Sequence, residues 1–92
     1  MATEILHHTT EDEDTLLLLE RFADRMTGVT GTMAHRMASN GTTRADLGID
    51  RRQFVRLRLC LAPRDGQLAR DIFAIAAAVG IEPDIVQKAA GL

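Results

Sequence analysis

Apolar positions recur at helical spacing along most of the chain. Leu16, Leu19, Phe22, Ala23 and Met26 fall at i, i+3, i+6, i+7 and i+10, which predicts a helix running to about Met26. Thr10-Glu11-Asp12-Glu13 reads as a capping box that opens this helix, and its acids suit the positive end of the helix dipole. Thr27-Gly28 ends it. Leu17 and Leu18 widen the stripe until it nearly encircles the helix, so some of Leu16, Leu17, Leu18, Leu19 and Phe22 are expected to face a second layer or another subunit.

The richest stretch is Asp50 to Leu61, Asp-Arg-Arg-Gln-Phe-Val-Arg-Leu-Arg-Leu-Cys-Leu, expected to be the central helix. Asp50 suits an N-cap, because its carboxylate can accept from a free first-turn amide. At roughly 100° per residue, Phe54, Leu57 and Leu61 share one face with Cys60 at its flank. Val55 and Leu59 lie opposite, among Arg51, Arg52 and Arg58. A helix apolar on two sides is packed on two sides, with arginine heads reaching water past their apolar stems. The run stops at Ala62-Pro63-Arg64-Asp65-Gly66, the clearest break in the chain.

Beyond the break, Leu68, Ile72, Ile75, Ala76 and Val79 give an amphipathic helix with Phe73 beside the stripe and Asp65 as its expected cap. Gly80 is the expected C-terminal glycine, followed by the apolar Ile81, and Pro83 suits the first position of a last helix to about Ala90, with Ile85, Val86 and Ala89 inward. Gly91 stops it. The segment from Val29 to Gly41 is ambiguous. Thr30-Gly31-Thr32 can start a short helix with Met33, Ala34 and Met37 as its apolar side, and Asn40-Gly41 can stop it. Thr42 to Leu47 reads as one capped turn before Gly48. These elements give a single all-α domain of four to five short helices with helix-turn-helix-like corners, residues 10–92, behind a flexible tail at residues 1–9.

Composition sharpens this. With three Phe, no Trp and no Tyr among 92 residues, the core must be built from Leu, Ile, Val, Met and Ala, which suits helices better than a sandwich. A core so poor in large side chains makes homodimerisation an expected source of stability. The one cysteine, Cys60, cannot form an internal disulfide and reads as a small buried hydrophobe. No apolar run approaches the length of a membrane span, and the acidic N-terminus lacks the pattern of a signal peptide, so a cytoplasmic location without membrane contact is expected.

The net charge of −2 hides an asymmetry. Residues 1–30 carry seven acids and two arginines, net −5, whereas residues 31–70 carry eight arginines and three acids, net +5. Arginine forms planar, bidentate contacts with phosphate or carboxylate that lysine cannot copy. Arg44, Arg51, Arg52, Arg56, Arg58 and Arg64 are therefore the candidate residues for holding phosphates or an acidic partner. The chain has one lysine, so a general compositional preference for arginine accounts for the same pattern.

Other candidate chemistry is sparse. His7-His8 could suggest a metal, but a solvated tail is the plain reading. Gly28-Val-Thr-Gly-Thr32 lacks the Gly-Lys-Ser/Thr ending of a phosphate loop. Cys60, His35 and Ser39, the only serine, have no catalytic partners near in sequence, so no enzymatic activity and no cofactor are expected.

One pattern carries a function. Ile75-Ala76-Ala77-Ala78-Val79-Gly80-Ile81-Glu82-Pro83-Asp84-Ile85-Val86 resembles a helix-turn-helix signature. Ala76 is the small residue that lets the second helix approach, Gly80 the turn and Val86 the apolar lock. The second helix of such a motif normally reads the DNA major groove. Glu82 and Asp84 would repel phosphates there, leaving only Gln87 and Lys88 as suitable side chains. A related pattern lies 32 residues earlier, where Leu47-Gly48-Ile49-Asp50 matches Val79-Gly80-Ile81-Glu82 and the exposed residues are Arg51, Arg52 and Arg56. Two functions follow. One is a protein-interaction module of a bacterial-type regulatory system, antitoxin-, antiactivator- or adaptor-like. The other is a regulator that binds double-stranded DNA through the arginine-rich helix 50–61.

Overall fold

The computed structural model describes the backbone of residues 2–92 and the side chains from residue 13 onward. Its helices are α1 (Ala2–Met26), α2 (Met33–Asn40), α3 (Arg44–Leu47), α4 (Arg51–Arg58), α5 (Leu68–Val79) and α6 (Pro83–Ala89). The sixth helix, beyond the four to five expected, is α3, the single turn read as capped. The backbone of α1 begins ahead of Thr10. The side chains of the expected capping box at Thr10-Glu11-Asp12 and of His7-His8 lie outside the described residues, while the backbone of residues 2–9, expected as a tail, falls within α1.

Local chemistry explains most boundaries. Thr32 caps α2, accepting from the His35 amide. Thr43 and Asp46 form a reciprocal capping box on α3, and Asp50 and Gln53 form another on α4. Gly41, Gly48 and Gly80 end their helices in the left-handed region that other residues avoid. The amides of Gly80 and Ile81 both donate to the Ala76 carbonyl, closing the end of α5. Removing the α4 cap by Asp50→Ala should destabilise the protein by about 1 kcal/mol, read as a lower urea midpoint with an unchanged slope.

Two boundaries differ from expectation. The central helix stops at Arg58 rather than Leu61, because residues 60–62 pair with the segment before α2. Met33 N–H donates to Cys60 O at 2.9 Å and Ala62 N–H to Gly31 O at 2.8 Å. Pro63 also disfavours helical geometry at Ala62. Leu61, expected on the core face with Phe54 and Leu57, is instead 75% exposed. Asp65 does not cap α5. That helix starts behind Gln67, which makes no side-chain cap bond, and the loop is held by Asp71, which accepts from the Arg64 amide and guanidinium.

The core joins Met33 and Met37 of α2, Leu47 of α3, Leu57 of α4, four side chains of α5, and Val86 and Ala89 of α6. Val55, on the other side of α4 from Leu57, is equally inaccessible, so α4 is packed on two sides as its pattern implies. Every helix other than α1 contributes to this cluster, and none of the described side chains of α1 does. The only buried side chain among those described on α1 is Ala23, with Leu16, Leu19, Glu20 and Met26 half-buried. Polar side chains tie the outer layers together. Arg36 donates to Ala90 O and Asn40 to Ala89 O, satisfying the free carbonyls at the end of α6. Gln53 donates to Gly80 O, and Lys88 donates to Asp46 O. No helix is long and apolar enough to cross a membrane among the described residues.

Candidate functional site

The arginine-rich helix α4 lies against α1, and ion pairs flank the contact. Arg51 grips Glu20 in a bidentate pair, Nε to Oε2 and Nη2 to Oε1, each at 2.7 Å. Its remaining Nη1 donates to Glu13 at 3.4 Å. One α-helical heptad later, Arg58 donates to Asp24 at 2.7 Å and stacks 5.5 Å over the Phe54 ring. Glu13, Glu20 and Asp24 fall at i, i+7 and i+11, one face of α1, so two stripes of opposite sign meet. The hydrogen bond from Arg51 holds the Glu20 carboxyl below its ordinary range, and the same bond raises Arg51.

The six candidate arginines are thus not one open face. Arg51 and Arg58 are engaged by α1. Arg64 is paired with Asp71 through Nε at 2.9 Å and Nη2 at 3.0 Å. Arg44 is exposed on α3 and lines a pocket of about 370 Å³ with Thr42, Thr43, Phe54 and Arg58. Arg52 and Arg56 are exposed on another side of α4, bordering a small recess with Leu16 and Leu19. Asp46 and Asp50, the acids of this region, are turned into helix caps.

Of the leucine-rich residues expected to self-associate, Leu17, Leu18 and Phe22 are exposed, while Leu16 and Leu19 are half-buried between α1 and its neighbours. A second apolar surface was not singled out by periodicity. Cys60, Leu61, Ala62, Ala74, Ile75 and Ala78 line a groove of about 410 Å³, with the Arg64–Asp71 pair at its rim. Phe73, 63% exposed, lies on the outer face of α5 and is not among the residues that line the groove. That face reads Ala69, Arg70, Phe73, Ala74, Ala77, Ala78, with a single charge, a signal in the sequence that could have pointed to it. Cys60 lies in the groove wall, its thiol donating to Arg56 O at 3.3 Å and pushed up in pKa by burial, which makes it a poor nucleophile. Among the described residues no three metal-ligating side chains converge.

The ion pairs carry a pH dependence. Asp71 is lowered to about 2, chiefly by its hydrogen bonds from Arg64, and Glu20 is lowered by Arg51. Groups with depressed folded-state pKa stabilise above their unfolded values and lose that contribution as pH falls through the folded ones. The melting temperature should therefore be flat above the ordinary carboxylate range and fall on acidification toward about pH 2. Asp71→Asn should flatten the most acidic part of that fall, as followed by circular dichroism.

No protein-family model matches the chain, no curated protein is significantly similar to it, and no solved structure matches its fold.

Proposed function

We propose that the chain is a non-enzymatic protein-interaction module of a regulatory system, and that its recognition surface is the apolar groove between residues 60–62 and α5. The observation that carries this reading is the exposure of Leu61 in a groove whose walls are almost entirely apolar. Large apolar side chains held open next to a concavity mark surfaces that another molecule covers. The occupant that fits is an amphipathic helix of a partner protein, inserting apolar anchors against the small residues Ala74 and Ala78, which leave room for close approach. The rim pair Arg64–Asp71 is already neutralised internally, so the groove selects by shape rather than charge. Self-association through the same groove or through Leu17, Leu18 and Phe22 is the competing occupancy.

A photo-crosslinking residue at position 78, in the groove wall, introduced into the full chain in its own host, tests this. A defined adduct with another protein that disappears in Leu61→Glu supports the reading. An adduct with the chain itself makes the groove a homodimer interface, and no adduct overturns the proposal.

A second reading has its own observation. The corner from α3 to α4 is built on two capping boxes and Gly48, and the helix that follows the turn carries Arg51, held by Glu20, and the exposed Arg52 and Arg56. That arrangement supports α4 as a duplex-binding helix making phosphate contacts, with Arg44 beside it.

A further inference from the structure

We infer that the outward face of α1 is a self-association surface, on which two copies of the chain pair antiparallel about a two-fold axis, with Asp14 of each copy meeting Arg25 of the other. This surface is separate from the groove, whose lining residues all lie outside α1, so the pairing and the groove reading stand or fall independently.

Helix α1 is two-sided. Its inner side packs on the domain through the fully buried Ala23, with Leu16, Leu19, Glu20 and Met26 half-buried beside it. At roughly 100° per residue, Asp14 stands about 180° round the helix from Ala23, and Asp14, Arg25, Leu18 and Phe22 follow one another within an arc of about 80° on that opposite side. Leu18 is 64% exposed and Phe22 51%, and Asp14, Arg21 and Arg25 are exposed with them. Leu18 and Phe22, four residues apart, form an apolar ridge across adjacent turns. A helix that carries apolar side chains on its outer as well as its inner side is packed on both.

Charge names the occupant. The acids on the flank toward α4, Glu13, Glu20 and Asp24, are held by Arg51 and Arg58. Asp14, Arg21 and Arg25 differ: among the described residues, none of them makes an ion pair within its own chain. Asp14 lies before the ridge and Arg25 after it, roughly 16 Å apart along the helix at 1.5 Å per residue, too far to pair with each other. An antiparallel two-fold reverses the order of the second copy. The register that sets Leu18 against Phe22 of the other copy then brings Asp14 within one residue of the level of Arg25 of the other copy, on the same flank, and symmetry makes the contact twice. Arg21 lies at the edge of the arc toward Leu17, where its head reaches water. A parallel pair would set Asp14 on Asp14 and Arg25 on Arg25. A different partner would have to bring an acid and a base in this order around an apolar ridge, and a second copy already has them.

The pairing is weak. Residues 13–26 span roughly 20 Å of helix, and one face of that length covers less than a standard interface, so half the chains pair at a concentration on the order of 100 µM. In dilute solution the chain is a monomer with Leu18 open to water.

Sedimentation equilibrium of the full chain, from about 10 µM to about 1 mM, reads the association. The weight-average mass should rise from that of one chain toward that of two. Leu18→Glu should hold it near one chain. Asp14→Arg alone and Arg25→Asp alone should each weaken pairing by about tenfold, because each reversal sets two like-charge contacts in the pair. An equimolar mixture of Asp14→Arg with Arg25→Asp should pair again, since one chain then offers two bases and the other two acids. That rescue is specific to the antiparallel register. All three positions are exposed, so circular dichroism should show each variant folded. A chain that stays monomeric to the top of the concentration range would overturn the inference and leave the groove reading untouched. A dimer that survives all three substitutions and is lost in Leu61→Glu would also overturn it, and would assign self-association to the groove. A dimer lost in Leu18→Glu but not rescued by the mixture would overturn the pairing of Asp14 with Arg25.

Discussion

Leu57→Ala should destabilise the protein by about 3 kcal/mol and lower its melting temperature by about 15 °C, the largest effect expected of any single truncation. Leu57 has no accessible surface and sits in the core cluster between the methionines of α2 and the isoleucines of α5. Removing its isobutyl group loses the transfer free energy and leaves a cavity that neighbours on short, capped helices cannot collapse into. Few side chains of this core are large, so a single leucine is a substantial share of it. Urea unfolding of Leu57→Ala beside Leu18→Ala is the measurement. Leu18 is 64% exposed, and its truncation should change stability by less than about 0.5 kcal/mol. Near-equal losses at the two positions would mean that Leu57 is not where the core is anchored.

The period of the apolar residues made much of this legible. Leu57, Val79, Val86 and Ala89 are buried where helical spacing put them, and Gly41, Gly48 and Gly80 end their helices in the left-handed conformation that only glycine adopts without cost. Leu61 was not legible from period alone. Its spacing from Phe54 and Leu57 continues the stripe, but pairing of residues 60–62 with the strand-like segment at Gly31–Met33 is a long-range backbone interaction that no local pattern encodes. Asp65 fails as a cap for a related reason: Asp71, seven residues after Arg64, captures both the amide and the guanidinium of that residue and fixes the loop another way.

The candidate site shows the same division. Charge asymmetry between the first third and the middle of the chain was plain in the sequence, and the folded chain turns it into Arg51–Glu20 and Arg58–Asp24. Which arginines meet α1 depends on the packing angle of two helices separated by more than thirty positions, which is tertiary information. An arginine-rich helix is thus ambiguous by composition, since the same guanidinium serves a phosphate or a neighbouring carboxylate. Geometry separates Arg51, Arg58 and Arg64, which hold carboxylates of this chain, from Arg44 and Arg56, which lie on its exposed surface.

Thr32→Val should cost about 2–3 kcal/mol although it keeps the shape of the side chain. Thr32 is the one buried polar residue of the described core, 6% exposed, and its hydroxyl serves three backbone groups. It lies 3.0 Å from Met26 O and 2.8 Å from Val29 O as donor, and it accepts from the His35 amide at 3.1 Å. Valine removes both capacities and strands the His35 amide at the start of α2 and the Val29 carbonyl before it, while Met26 O still accepts from the Val29 amide; a buried group left unpaired costs more than the bond contributed. His35, whose ring Nδ1 lies 2.9 Å from Thr27 O, holds the same junction but from a half-exposed position, so His35→Ala should cost less. Thr32→Ser, which retains the hydroxyl, should recover most of the loss. Urea unfolding orders the three variants, and amide exchange locates the damage at residues 26–35. A Thr32→Ser variant as unstable as Thr32→Val would assign the role of Thr32 to its methyl group and remove the hydroxyl as the tether between α1 and the core.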